Sequence, residues 1–413
     1  MVKWKIRIPE IYFNILSMID NTPKSLPKQI IVGIQFLFVA FGAMVLVPLL
    51  VGIDPSIAMF TAGIGTLLFH LITKGKVPVF LGSSFAFIAP IIKATEMFGY
   101  AGMLSGIIAV GVVYIIMSTL IKIWGLGFID KIFPSIVVGP VIMVIGLSLA
   151  SAGVNMAKND WLIASVSLLT AVGVVIYTRG LIKLIPIFIG IIAGYLLSMF
   201  LGKIDYTPIR EADWFAMPAL TMPEWSWKAF LYMAPVAIAP MIEHVGDMYA
   251  IGGVTEKNYL KDPGLNRTLL GDGVATALAG LMGSVPNTTY SEVTGAINLT
   301  KVTSPRVLRI TAVTAIVFSV IGKVSAVLKT IPEAVLGGIM MLLFGLIASV
   351  GTKTLIDSKT DLHDIRNQVI VSLILTVGIG GAMVNIGDFS LGGIGLASVV
   401  GVVLNLVLPK TKH

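Results

Sequence analysis

Apolar residues fill the chain in long runs separated by short polar loops, from about residue 30 to residue 408. A helix needs roughly 20 apolar residues to cross the hydrocarbon layer of a membrane. Two segments, 77–98 and 285–300, are apolar but are interrupted near their starts by Pro78 and Pro286. Together with twelve continuous runs, they predict an all-α polytopic membrane protein with fourteen transmembrane segments. The continuous runs are 30–51, 56–73, 100–121, 132–153, 160–178, 183–202, 229–252, 265–283, 307–328, 332–351, 367–384 and 391–408.

The composition agrees with this interpretation, since 56% of the residues are apolar and only 12% are charged. With fourteen segments, 22 of the 29 Lys and Arg residues fall in loops on one side of the membrane. Basic loops stay in the cytoplasm. We therefore expect a multi-pass protein of a bacterial or archaeal cell (inner) membrane, with both termini cytoplasmic. The positive charge indicates topology rather than a nucleic-acid partner.

Several kinds of chemistry have no support in the sequence. The chain has no cysteine, which excludes disulfides, thiol nucleophiles and Cys-based metal sites. It shows no phosphate-binding loop, metal-ligand cluster or Ser-His-Asp arrangement. We therefore expect a protein that is not an enzyme, with no catalytic or metal-binding residues. We expect no cofactor other than a co-transported H⁺.

Short motifs recur in the two halves of the chain. Gly75-Lys-Val-Pro is matched by Gly283-Ser-Val-Pro, each at the start of an interrupted segment, and Lys131–Gly139 resembles Lys329–Gly337. The similar spacing between each motif and its match indicates that the chain consists of two halves of seven segments. The two halves run in opposite directions because seven is odd. Chance recurrence of Gly and Pro is the alternative. Inverted repeats with broken helices at matching positions are typical of secondary transporters, which bind substrate near the membrane midplane.

The two interruptions, 77–81 and 285–290, should be extended because Pro, β-branched and aromatic residues disfavour helix there. Extended backbone at membrane depth must be buried in protein or line a cavity. We expect the two short strands to pair with each other. Each should then lead into a half-helix, beginning near Ser83–Phe85 and near Ser291. Helix starts present unpaired N–H groups and a positive dipole end, which suit carbonyl oxygens or anions.

Three acidic residues, Glu243, Asp247 and Glu292, fall inside segments that should lie in the bilayer. Inserting each costs roughly 2.5–3.5 kcal/mol, so such residues indicate a functional site by default. Glu243 and Asp247 are four residues apart and share one helix face. Close carboxylates cannot all stay ionised in a low-dielectric site, and we hypothesise that the proton which relieves their repulsion is co-transported. The alternatives are a purely structural pair of glutamates and a capping role for Asp247.

Three other polar residues are less strongly indicated as parts of the site. His244 points about a hundred degrees away from Glu243 around the helix. This favours packing over a proton relay, although His244 stays a candidate for proton coupling beside Glu243 and Asp247. We expect Asp272 to lie close to a loop and His70 to reach the membrane interface.

The expected array of backbone donors beside carboxylate acceptors matches a planar imide edge, in which C=O and N–H groups alternate. Uracil has this edge, and so does the pyrimidine ring of xanthine. A sugar or an amino acid would use the array less fully.

Five blocks of the chain closely resemble bacterial uracil permeases, which belong to the nucleobase–cation symporter-2 (nucleobase–ascorbate transporter) family. They are Gly75–Pro90, Glu243–Gly246, Lys261–Arg267, Gly283–Glu292 and Ala382–Gly387. The resemblance covers about residues 27–408 and implies a 7+7 inverted repeat divided into a core domain and a gate domain. The implied limits are a cytoplasmic N-terminal segment 1–28, core 29–128 (segments 1–4), gate 129–204 (segments 5–7), an extracellular connection 205–228, core 229–328 (segments 8–11), gate 329–408 (segments 12–14) and a cytoplasmic tail 409–413.

The resemblance also implies roles for individual residues. Glu243 and Glu292 match the two substrate-binding glutamates of the family. Phe85 and Ser291 match positions whose backbone contacts the uracil carbonyls, and Tyr290 would stand beside the ring.

The chain departs from the family pattern at two places. It has Asp247 where many uracil permeases have a histidine that is tied to proton coupling. It has Val293 where the family signature has Asn. The first departure affects the route of the proton, and the second affects which base is preferred.

We therefore predict a secondary active transporter that imports uracil by proton symport through alternating access. Its partners would be this small-molecule substrate and membrane lipid, with room for a homodimer. A symporter of xanthine or another oxo-purine is the alternative within the same family. An anion channel or exchanger on the same fold is the alternative of another class, and a membrane enzyme is a remote one.

Overall fold

The computed structural model of the protein describes residues 20–125, 127, 132–180, 182–386 and 389–409. The locations predicted for residues 1–19 and 410–413 therefore lie outside the described residues. The elements are α1 (Leu26–Leu50), α2 (Pro55–Ile72), β1 (Leu81–Ser83), α3 (Ile88–Trp124), α4 (Ser135–Ala157), α5 (Trp161–Tyr177), α6 (Pro186–Phe200), α7 (Thr207–Glu211), α8 (Trp227–Met233), α9 (Ile238–Thr255), α10 (Leu265–Leu281), β2 (Asn287–Thr289), α11 (Ser291–Thr300), α12 (Pro305–Ser319), α13 (Gly322–Lys329), α14 (Glu333–Asp357), α15 (Ile365–Ile379), β3 (Met383–Ile386), β4 (Phe389–Gly392) and α16 (Gly393–Val407).

The protein is mostly helical and polytopic in character, as the apolar runs predict. Within the described residues, six helical stretches are long and apolar enough to cross a membrane. They are Leu26–Leu50, Pro55–Ile72, Phe85–Trp124, Ser135–Ala157, Trp227–Thr255 and Glu333–Asp357. Each of the other predicted runs contains at least one shorter helix, in some cases beside a short strand. The boundary between predicted segments 77–98 and 100–121 falls at Gly99, whose φ of +71° breaks α3.

The two short strands pair with each other, which confirms the pairing predicted from the interrupted segments. β1 and β2 are antiparallel, with Leu81 opposite Thr289 and Ser83 opposite Asn287. The first strand begins later than the predicted extended stretch 77–81. The reason is local, because the Val79 N–H donates to the Val77 carbonyl and so curls the chain before Leu81.

Two parts of the fold differ from the prediction. The run 307–328 is not one helix: α12 ends at Ser319, and the short helix α13 follows. At the break, backbone groups of 320–322 bond with residues 214–216 of the connection, which replaces helical hydrogen bonds. The second departure is a hairpin of β3 and β4, which lies across the end of one predicted segment and the start of the next.

The helices pack in two groups. In one group α10 packs against α2 and α3, α12 packs against α1 and α2, and α8 lies along α3. In the other group α4 packs along α14, α14 also contacts α5, and α15 contacts both α4 and α16. Contacts between the groups include those of α9 with α4 and α16, and of α1 with α6. The β1–β2 pair belongs to the first group, where it contacts α1, α2 and α10.

Ion pairs at the ends of the helices join loops that the predicted topology places on the same side of the membrane. One pair links two loops predicted on the cytoplasmic side, and two pairs link loops predicted on the outer side. They are Lys76–Asp262, Lys203–Asp160 and Lys329–Asp54.

Close contact between α3 and α10 predicts a sensitive packing position. A Cβ atom on Gly111 would lie 2.6 Å from the Gly273 carbonyl oxygen and 2.6 Å from the Ala277 nitrogen. Gly111→Val should therefore lower the free energy of unfolding by about 1–3 kcal/mol, because the two backbones must separate. Thermal unfolding in detergent measures the effect. Gly173→Val in α5 is the matched control, since a Cβ there meets nothing within 4 Å. Equal losses in the two variants would contradict the packing argument.

Candidate functional site

A cavity of about 370 Å³ lies between the two helix groups. Its polar wall comes from the broken segments and α9, and its opposite wall is apolar. The polar wall includes Ser84, Phe85, Glu243, Tyr290, Ser291 and Glu292. The apolar wall includes Ile142 and Ile145 of α4 and Leu343, Leu346, Ile347 and Val350 of α14.

Both strands lead directly into helical turns whose first residues line this cavity. Ser84 caps a single 3₁₀ turn over Phe85–Phe87 by accepting a hydrogen bond from the Ala86 N–H, and α3 follows. After β2, α11 begins at Ser291. The first N–H groups of a helix have no partner within it and carry the positive end of its dipole. The cavity therefore has helix starts of both broken segments at its wall.

The predicted acidic residues meet at this wall. Glu243 and Glu292 both line the cavity. The Ser291 hydroxyl oxygen lies 2.8 Å from Glu243 Oε1 and 2.9 Å from Asp247 Oδ2. Asp247 is 6% exposed and is not among the described residues that line the cavity. The structure thus gathers Glu243, Asp247, Ser291 and Glu292, with Asp247 set behind the serine.

In the described part of the chain, these carboxylates form no ion pair with Lys or Arg. Among the residues that the structure describes, the recorded ion pairs join none of Glu243, Asp247 and Glu292 to Lys or Arg. Those same residues contain no group of three or more His, Cys, Asp or Glu side chains placed to hold a metal ion. Negative charge at this site must be balanced by protons, by helix dipoles or by a ligand that donates hydrogen bonds.

His244 belongs to a buried network behind the cavity. Its Nδ1 lies 3.0 Å from Asp272 Oδ2 and 2.7 Å from Thr289 Oγ1, and its Nε2 lies 2.8 Å from Thr268 Oγ1. Asp272 also accepts a 2.9 Å hydrogen bond from the Thr289 backbone N–H. The network therefore ties strand β2 to α9 and α10. The recorded hydrogen bonds of the His244 side chain all go to side chains on other elements.

Two secondary expectations were wrong. Asp272 does not lie close to a loop: it is fully buried in the middle of α10. The signal was present in the sequence, because an acid inside the apolar run 265–283 meets the same criterion as Glu243. His70 does not reach the interface either, since it is 3% exposed and its Nε2 lies 2.9 Å from the Val79 carbonyl oxygen. A carbonyl only accepts, so Nε2 carries the hydrogen and holds the turn before β1.

Tyr290 is fixed between the strands and α1. Its hydroxyl oxygen accepts a 3.0 Å hydrogen bond from the Ala43 backbone N–H. Its ring leaves no room for a side chain at Gly82, where a Cβ would lie 2.6 Å from Tyr290 Cδ2. Tyr290 therefore holds the end of β2 against α1 while lining the cavity. Its position beside a bound ring stays a prediction.

A central cavity with broken helices and buried acids, enclosed by membrane helices, defines the protein as a polytopic membrane transporter. A match to the Permease family spans residues 27–387, and the chain belongs to that family. This membership confirms the resemblance and the prediction of a transporter rather than an enzyme.

Related proteins cover nearly the whole chain. A probable uracil permease of Pasteurella multocida is 52% identical over 395 residues, which are 94% of this chain and 95% of that protein. The uracil permease of Bacillus subtilis is 44% identical and covers 92% of each chain. In fold, the chain is similar to the transmembrane domain of a cyanobacterial bicarbonate transporter, BicA, with a TM-score of 0.62 at 14% identity over 92% of this chain and 96% of that one.

The buried network predicts that Asp272 is needed to hold β2. Asp272→Ala removes the acceptor of the Thr289 N–H and of its hydroxyl, and each buried donor left unsatisfied costs about 1–3 kcal/mol. We expect a lower thermal unfolding midpoint in detergent. Asp357→Ala, at the exposed end of α14, is the matched control and should unfold as the wild type does. Equal midpoints for the two variants would show that the network does not stabilise the fold.

Proposed function

We propose that the protein imports uracil as a proton symporter by alternating access. The observation that carries this proposal is the pairing, on one cavity wall, of helix starts that offer N–H donors with Glu243 and Glu292, which offer acceptors. A ligand that satisfies both must alternate C=O and N–H groups along one edge. Uracil does so, and uracil is also the substrate in the names of the relatives from Pasteurella multocida and Bacillus subtilis.

In this proposal each polar group of the wall has one partner on the base. The backbone at Phe85 and Ser291 donates to the two carbonyl oxygens, while Glu243 and Glu292 accept from the ring N–H groups. These carboxylate contacts are charge-assisted and therefore stronger than neutral hydrogen bonds. Tyr290 stands beside the ring. The contacts suit the edge of uracil and that of xanthine, and competition between the two bases in uptake assays decides the preference.

Alternating access requires two bodies that move past each other with the site between them. We assign residues 29–128 and 229–328 to a core domain and residues 129–204 and 329–408 to a gate domain, joined by the extracellular connection 205–228. The two packing groups of helices and the two unlike walls of the cavity support this division. The paired broken segments support an inverted repeat of seven plus seven segments. Both termini would lie in the cytoplasm of the cell that carries the protein in its inner membrane.

An anion exchanger on the same fold is the rival from another class. The similarity to the bicarbonate transporter concerns the fold alone, because the sequences are 14% identical. The site argues against it. Glu243 and Glu292 face the cavity beside the helix starts, and their negative charge would repel an anion.

The first prediction of this proposal concerns Glu243. Glu243→Gln should weaken uracil binding by about 10- to 100-fold, because a charge-assisted acceptor is replaced by a neutral amide. Titration of labelled uracil against purified protein measures the change.

Glu256→Gln is the matched control, since Glu256 lies exposed at the end of the same helix. It should bind uracil as the wild type does. Unchanged uracil affinity in Glu243→Gln would refute the binding mode, and faster anion flux in that variant would favour the exchanger.

The second prediction concerns coupling. Buried carboxylates without basic partners can hold their charge only at a high cost, so uracil should enter together with a proton. In vesicles that contain the purified protein and an internal pH dye, added uracil should acidify the interior, and an imposed inward proton gradient should accelerate uptake of labelled uracil. Uracil entry with no accompanying acidification would exclude proton symport.

A further inference from the structure

The Ser291 hydroxyl group contacts two carboxylates at once. Its oxygen lies 2.8 Å from Glu243 Oε1 and 2.9 Å from Asp247 Oδ2, and both distances are those of good O–H···O hydrogen bonds. A serine hydroxyl carries a single hydrogen, whereas an ionised carboxylate only accepts. One hydrogen cannot make two well-aligned bonds, so two ionised carboxylates would leave one oxygen–oxygen contact repulsive.

A second hydrogen resolves this conflict. If one carboxyl group is protonated, it donates to the Ser291 oxygen while Ser291 donates to the other carboxylate. Both short contacts then become hydrogen bonds. No Lys or Arg in the described part of the chain pairs with either acid to favour the doubly ionised form.

The surroundings of Glu243 and Asp247 indicate which of the two acids holds the proton. Glu243 lines the cavity, where the proposed substrate needs an acceptor, while Asp247 lies behind the serine at 6% exposure. Other titratable groups face the two acids from neighbouring elements, and all are acids or neutral hydrogen-bonding groups except His244. These groups are Glu292 on α11, Asp272 on α10, His244 on α9, Tyr114 on α3 and Tyr290 after β2. His244 is committed to Asp272 and Thr268, on the far side of the network.

We propose that Asp247, Ser291 and Glu243 form a proton relay in which Ser291 is the positioning residue. With substrate bound, Asp247 holds the proton and donates to Ser291, which donates to ionised Glu243. When the substrate leaves, Ser291 passes its own hydrogen to Glu243 and takes the hydrogen of Asp247. Two O–H bonds form and two break, Ser291 is unchanged, and the proton arrives at the cavity, from which it can leave.

This inference rests on the proposed function and adds to it the route that the proton takes in a chain with Asp247 at this position. It also assigns a purpose to the Ser291 side chain, whereas the binding mode uses only the backbone at that residue. The relay can therefore be altered while the substrate contacts remain.

The experiment compares variants of the full-length protein in two assays: uracil affinity as a function of pH, and acidification of vesicles upon uracil entry. For each uracil taken up, Ser291→Ala should acidify the vesicles far less than the wild type does, whatever its effect on affinity. The midpoint of its affinity profile should move down by about half to one pH unit, because protonated Asp247 loses the neutral hydroxyl that accepts its hydrogen bond. Ser291→Thr keeps the hydroxyl and should restore both readouts.

Asp247→Asn tests the other end of the relay. Its amide donates permanently to Ser291 in place of the protonated acid, so uracil should bind with an affinity that no longer depends on pH, and without acidification. Thr300→Ala is the matched control. It removes a hydroxyl from the far end of the same half-helix, where the group donates to the Ala296 carbonyl and accepts from the Val302 N–H, and should leave both readouts unchanged.

The outcomes separate the relay from the function on which it rests. A wild-type protein that does not bind uracil overturns the proposed function and the relay together. A coupled wild type with equal coupling in Ser291→Ala overturns the relay alone. The relay is supported if Ser291→Ala and Asp247→Asn both lose acidification and Ser291→Thr recovers it.

Discussion

The fold is organised around carboxylates that lie deep among membrane helices and that form no ion pair with Lys or Arg among the residues the structure describes. Glu243, Asp247 and Glu292 each carry a large cost of insertion, which the protein must offset with hydrogen bonds, helix dipoles or protons. The broken segments supply the first two, because α11 begins one residue before Glu292 and Ser291 lies against the other two acids. In the proposed symport, the third would make the stability of this cluster depend on bound protons.

Strands in the middle of a membrane protein raise a second difficulty, since their outer backbone groups need partners. The structure satisfies several of these groups with side chains from neighbouring helices. Asp272 accepts from the Thr289 N–H, the Thr66 hydroxyl accepts from the Leu81 N–H, and His70 donates to the Val79 carbonyl just before β1. Tyr290 fixes the end of β2 on α1. Hydrogen bonds from the neighbouring helices therefore fix the polar wall of the cavity. They keep its donors and acceptors in place for a small planar ligand.

Much of this was predictable from the sequence, because membrane constraints act locally. Apolar length located the helices, Pro78 and Pro286 located the interruptions, and the rule against unpaired backbone in lipid required the two strands to pair. The buried network was harder to predict from the sequence, since only folding brings Asp272 to Thr289 and His70 to Val79. The β3–β4 hairpin was missed because apolar length alone does not distinguish a short strand from the end of a helix.

The two walls of the cavity differ in a way that bears on movement. The polar wall is bonded rigidly to its own helix group, whereas the facing side chains, among them Ile142, Leu343 and Ile347, are aliphatic. Aliphatic contacts are non-directional, so two such surfaces can shift past each other without breaking a set of aligned hydrogen bonds. In the proposed alternating access, recognition and the proton then belong to the core domain, and the gate domain supplies a surface along which the core slides. An acid pair that is charged would resist burial against this apolar wall, and a pair that shares a proton would not. In this proposal, the same desolvation cost links neutralisation of the acids to passage of the core across the gate.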